Sequence, residues 1–98
     1  MNYKVVLTNS VVRLLASWNL PDAVFVEVHL RLRERLCQYP TSELVRATEP
    51  FDGMVYAFEM IDPTNRVSVY RLFFHIIYGQ DEQTLYVVHA ILLHSFGT

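Results

Sequence analysis

The 98-residue sequence is poor in several features that mark out familiar protein classes. Its one cysteine, Cys37, excludes an internal disulfide and a cysteine-rich zinc site. By the usual habit of free thiols, Cys37 belongs half-buried on a helix. Neither sign of charge is in excess: eight basic and ten acidic residues leave a net charge of −2, which offers no general attraction for nucleic acid. No uncharged run approaches the roughly 18 residues of a membrane span. The first residues run into a strand-like segment rather than a basic and then apolar leader, so a cytoplasmic protein without membrane contact is expected. Repeats, linkers and low-complexity segments are missing as well, and the length allows a single domain, 1–98.

What the sequence has in abundance is apolar surface. Apolar residues make up 52% of the chain, and the mean hydropathy is positive. A domain of this size buries only about 60 to 65% of the surface of its unfolded chain. The surplus implies that protein covers part of the surface, either a partner or a second copy in a homo-oligomer.

The segment "YKVVLT" (3–8) is short and β-branched, and it reads as a strand ending at a helix cap at Asn9-Ser10. From there Val11, Val12, Leu14, Leu15 and Trp18 recur at helical spacing up to Asn19. Pro21 and Asp22 suit the first turn of a second helix, on which Phe25, Val28, Leu32, Leu36 and Tyr39 form one stripe before Pro40 ends it. "SELVRATEPFDG" reads as a loop or short edge segment, broken by Pro50 and Gly53. "MVYAFEMID" (54–62) alternates as a strand, with Val55, Ala57, Glu59 and Ile61 on one face and Met54, Tyr56, Phe58 and Met60 on the other. The stretch 67–96 then reads as two long strands joined at "GQDEQ". The expected fold class is α+β: an N-terminal strand, an α-helical hairpin covering one face, and an antiparallel meander forming a curved sheet.

The opening "YKVVLT", the helix end "LRLRERLCQYP" and above all "VYRLFFHII", a polar turn and "TLYVVHAILLH" give the chain its resemblance. It resembles the RelE/ParE superfamily, the toxins of type II toxin-antitoxin systems. That resemblance implies a bacterial protein held by a cognate antitoxin and needing no cofactor. The RelE branch cuts messenger RNA at the ribosome, and the ParE branch poisons DNA gyrase. Residue by residue, Arg71 falls on the family's central arginine and His94 near the basic residue or histidine that ends the last strand. Ala57 and Glu59 stand where cations are common, and no tyrosine follows the last strand.

Cleavage of RNA through its 2′-hydroxyl needs a base, a cation for the phosphorane and an acid at the leaving oxygen. Arg71, His75 and His94 are the candidate catalytic residues, with His75 on the strand face of Arg71. The alternative is that Arg71 pairs with Glu59 on the neighbouring strand and that the histidines are structural. Loss of one charge-stabilising group costs about 10² to 10³ in rate, so the Ala57 and Glu59 replacements imply a weakened or altered endoribonuclease. Arg31, Arg33 and Arg35 are the candidate binding patch for RNA or the ribosome, although Glu27 and Glu34 can also pair that helix face internally. Phe73, Phe74, Tyr70 and Tyr78 invite either base stacking or core packing. His89 and His94, five apart on one strand, point to opposite faces, and no metal site is expected. A different class of function also fits: a catalytically silent, homo-oligomeric protein-interaction module on the same fold.

Overall fold

The computed structural model describes residues 3–96. Five strands form one sheet in the order β1-β5-β4-β3-β2. β1 (Lys4–Leu7) leads into α1 (Asn9–Ser17), and Asn19, in the left-handed region at φ 50°, turns the chain towards α2 (Asp22–Leu30). α2 continues into a π-helical stretch (Arg31–Arg35) and a closing turn, α3 (Leu36–Gln38). A further turn, α4 (Pro40–Glu43), precedes β2 (Val45–Ala47), and β3 (Gly53–Asp62), β4 (Asn65–Tyr78) and β5 (Thr84–Phe96) follow as an antiparallel meander. The expected α+β layout is therefore observed, and the two long strands meet at the expected turn.

Three details differ from the reading of the sequence. β1 pairs parallel to β5, Lys4 with Thr84 through Leu7 with Val87, so it lies beside the last strand and the sheet is mixed. Thr8 rather than Asn9 or Ser10 sits at the start of α1, and its hydroxyl goes to the Val87 carbonyl, 3.1 Å away, instead of capping the helix. Val24, not Phe25, opens the buried helix stripe, which runs Val24, Val28, Leu32, Leu36, while Phe25 and Tyr39 are exposed. A strict spacing of four drifts around an α-helix of 3.6 residues per turn. The wider π turn at Arg31–Arg35 offsets that drift and keeps the row against the sheet. The segment after Pro40, expected as a loop or short edge segment, supplies the edge strand β2, paired to β3 at Val55, Met54 and Gly53.

The core lies between the helices and one side of the sheet. Val11, Leu15, Val24, Val28, Leu32 and Leu36 meet Tyr56, Phe58, Tyr70, Leu72, Phe74, Ile76, Leu85, Val87 and Ala90. On β3 the two faces fall as the alternation predicts, Tyr56 and Phe58 inward, Ala57 and Glu59 outward. Cys37 is half-buried, and its thiol donates to the Tyr3 carbonyl at 2.6 Å, tying β1 to the end of the long helix.

Candidate functional site

The side of the sheet away from the helices is where the candidate residues of β4 emerge. Tyr70, Leu72, Phe74 and Ile76 are buried, so Arg71, Phe73 and His75 stand on the open side. Glu59 lies directly across from Arg71 in the β3–β4 ladder. Arg71 donates to Glu59 Oε2 from Nε at 3.1 Å and from Nη2 at 2.7 Å. Both side chains are about half exposed (56% and 51%), so the pair holds the guanidinium in place more than it stabilises the fold. The pairing with Glu59 weighed from the sequence is thus the geometry found.

His94 is not part of that surface. Leu93 is the cross-strand neighbour of Arg71, which sends the next side chain of β5 through to the helix side. There His94 stacks on Tyr70, with ring centroids 4.3 Å apart and planes 5° apart, and shares a hydrogen bond of 3.3 Å with the Ser68 hydroxyl. Arg71, His75 and His94 therefore do not converge. His75 itself lies four residues beyond Arg71, roughly 13 Å along an extended strand.

His75 has a different companion. A bulge in β5 at Val88 shifts the register, so that Ile76 faces Val87 while His75 faces His89. Val87 and Ala90 consequently both face the core although they are three apart, and His89 turns to the open side. Phe51, from the loop between β2 and β3, stacks on His75 at 5.2 Å with planes 8° apart and presents its ring edge-on to His89 at 5.3 Å. Gly53 lets the loop come this close: its φ is +137°, and a Cβ there would stand 3.2 Å from His75 Nε2. Val55, an open-side residue beside His75, is buried at 4% exposure. The pair of histidines under an aromatic ring was missed in the sequence. The available signal was "LYVVHAI", where the alternation of buried residues changes phase.

Two recesses flank the Arg71–Glu59 pair. One, of about 530 Å³, is lined by Glu49, Pro50, Phe73, Ile91 and Leu93. The other, of about 470 Å³, lies between α2 and β3 and includes Glu27, Arg31, Glu59 and Ile61. The first is a mostly apolar slot that includes Leu93, the cross-strand neighbour of Arg71, and the second is a charged notch lined by Glu59 itself.

The three helix arginines diverge. Arg31 bonds Glu27 at 3.2 Å, one helical turn earlier, and lies over the Phe58 ring at 5.1 Å. Arg35 reaches Glu43 at 2.7 Å, and that hydrogen bond raises its already high pKa. Arg33 points outward beside Phe25, His29 and Leu30, where its charge adds to the effect of burial in lowering the His29 pKa. Internal pairing thus accounts for two of the three, and Arg33 is exposed. Among the aromatics, Tyr70 and Phe74 are core, Phe73 is half-buried on the open side and Tyr78 is exposed. Among the described residues no three metal-ligating side chains come together, and no helix is long and apolar enough to cross a membrane.

No family model matches the chain, and no curated protein matches it. Among solved structures, the chain is similar to a chain of the toxin-antitoxin complex RelBE2 from Mycobacterium tuberculosis. The likeness has a TM-score of 0.60 at 19% sequence identity and covers 92% of this chain and 96% of that one. The extent of that overlap carries one conclusion: the chain has the RelE-type toxin fold.

Proposed function

We propose that the chain is the toxin-like component of a bacterial type II toxin-antitoxin module, held by a cognate antitoxin. The observation that carries this reading is the extent of the likeness to a chain of a toxin-antitoxin complex, nearly end to end on both sides. The apolar open side supports it, since Ile61, Ile77, Leu93 and Tyr86 are exposed there and gain from a protein cover. On this reading Arg71 is the cation that meets a phosphodiester of messenger RNA at the ribosome. Arginine keeps its charge at any physiological pH and grips a phosphate through two parallel hydrogen bonds.

Activity on RNA is weak in this proposal. Arg71 is already neutralised by Glu59, Ala57 supplies no cation beside it, and His94 stands on the other side of the sheet. Induction in a bacterial host tests the reading. Mild growth arrest is expected, relieved by Arg71→Ala with the fold intact, relieved by a co-expressed antitoxin, and indifferent to His94→Ala. Strong arrest with ribosome-dependent cleavage that needs His94 would overturn the assignment of weak activity. The salt-bridged Arg71 also favours a second reading, a catalytically silent homo-oligomeric interaction module, which predicts no arrest under any of these conditions.

A further inference from the structure

The outer edge of β5 is covered only over its first four residues. β1 pairs with Thr84–Val87 and goes no further, because Thr8 turns the chain into α1. The Thr8 backbone N–H and hydroxyl both end on the Val87 carbonyl, at 3.2 and 3.1 Å. β5 itself runs on to Phe96. Over 88–96 its backbone is bonded to β4 on one side, and on the other side no backbone partner is found among the described residues.

A bare edge invites another strand unless something discourages it. The other edges of this sheet are discouraged. β1 and β2 are short, 4 and 3 residues, and carry Lys4 and Arg46. The part of β3 that β2 leaves open carries Glu59 and Asp62 and lies beside Arg31 and Glu27. The free stretch of β5 reads "VHAILLHSF", with no acidic residue, lysine, arginine or proline. It ends in Phe96, which is 67% exposed.

We propose that this edge joins two copies of the chain, strand to antiparallel strand, about a two-fold axis at Leu92. The occupant is a second copy because the stretch is self-complementary in that register. His94 then faces Ala90, His89 faces Ser95, Ile91 faces Leu93 and Val88 faces Phe96. Both imidazoles meet small side chains, and the central aliphatic residues meet one another. Residues directly opposite in an antiparallel pair share a side, so Leu93 and Ile91 meet on the open side while Ala90 and His94 meet on the helix side. With no charged residue on either strand, no like charges are set against each other. The two five-stranded sheets become one continuous sheet. This inference is independent of toxicity.

Sedimentation equilibrium of the purified chain across nanomolar to micromolar concentration tests it. A monomer–dimer equilibrium is expected. Leu93→Lys and Ile91→Glu should each raise the dissociation constant at least ten-fold, with circular dichroism unchanged. Mixing those two variants should restore the dimer, because the opposite charges then lie directly across the interface. Amide exchange on the unaltered protein needs no variant: the outward-facing amides of 88–96 should slow as concentration rises. A monomer throughout, a dimer indifferent to both substitutions, failure of the mixture to recover, or exchange independent of concentration would each overturn the proposal. Association only with a different co-expressed protein would overturn it too.

Discussion

On one side of β4, Tyr70, Leu72, Phe74 and Ile76 are shut beneath the helices; on the other, Val69, Arg71, Phe73 and His75 lie on a surface shaded only in part by the loop 48–52. The two sets come from the same strand, but all four residues of the first are apolar or aromatic, whereas only Val69 and Phe73 of the second are. The helix side is constrained by packing, where a lost methylene leaves a hole. The open side is constrained by pairings, Arg71 with Glu59 and His75 with Phe51 and His89, which exchange with water at little cost. This difference assigns stability to one set and leaves the other free for recognition.

The largest test of that contrast is a pair of neighbours. Phe74→Ala should destabilise the protein by about 3–5 kcal/mol through loss of burial and the cavity left behind. Phe73→Ala should cost roughly half of the 1.5–3 kcal/mol that full burial of such a side chain is worth. Urea unfolding of the two variants measures both, and equal losses would mean that the open side is a second core. Next in size is Phe51→Ala, which removes the ring from His75 and His89 and should cost about 1 kcal/mol. Faster amide exchange around Val55 would report the loop lifting away.

Smaller in stability but larger in consequence is Glu59→Gln. An exposed pair of this kind contributes at most about 1 kcal/mol, yet without the carboxylate Arg71 is a free cation. Tighter, salt-sensitive binding of single-stranded RNA is expected, and unchanged binding would remove Arg71 from any role in recognition. Arg33→Gln should move stability by only a few tenths of a kcal/mol, as for other surface positions, and should leave RNA binding unaltered.

The last test concerns pH. Burial first, and the Arg33 charge second, lower the His29 pKa in the fold. The unfolded chain therefore takes up this proton more readily than the folded one. The contribution of His29 is complete above its ordinary value of about 6.5 and is lost as pH falls from there through the lowered folded value. Thermal midpoints measured from pH 7 to 5 should fall less steeply in His29→Gln than in the parent, and parallel slopes would contradict this.

The alternation of β3 and β4 was legible because each has one face in the core, and a period of two then writes itself into residue types. For the same reason Glu59 was recognisable as a partner of Arg71. The parallel pairing of β1 was not legible, since a four-residue apolar strand fits either edge in either direction. The helix stripe was displaced by one residue at its start because the π turn at Arg31–Arg35 alters the phase, and no residue type marks such a turn. The site was divided by a fact of pairing: once Leu93 faces Arg71, His94 belongs to the other side. The meeting of His75 with His89 depended on the bulge, whose trace is the doubled Val87-Val88.

That doubled valine makes β5 two phases spliced at one residue. Up to Val87 the odd positions face inward, and beyond the splice the even ones do. Deletion of Val88 would remove the bulge and leave every side as it is, whereas straightening the bulge with Val88 kept would invert every side chain after it: Ile91 and Leu93 would pass inward, Ala90 and Leu92 outward, and His94 would arrive on the side of Arg71. Because the residues at the centre of that stretch, Ala90–Leu93, are all aliphatic, the strand can be read in either phase, and the bulge alone separates the present arrangement of histidines from one in which His94 and Arg71 share a surface.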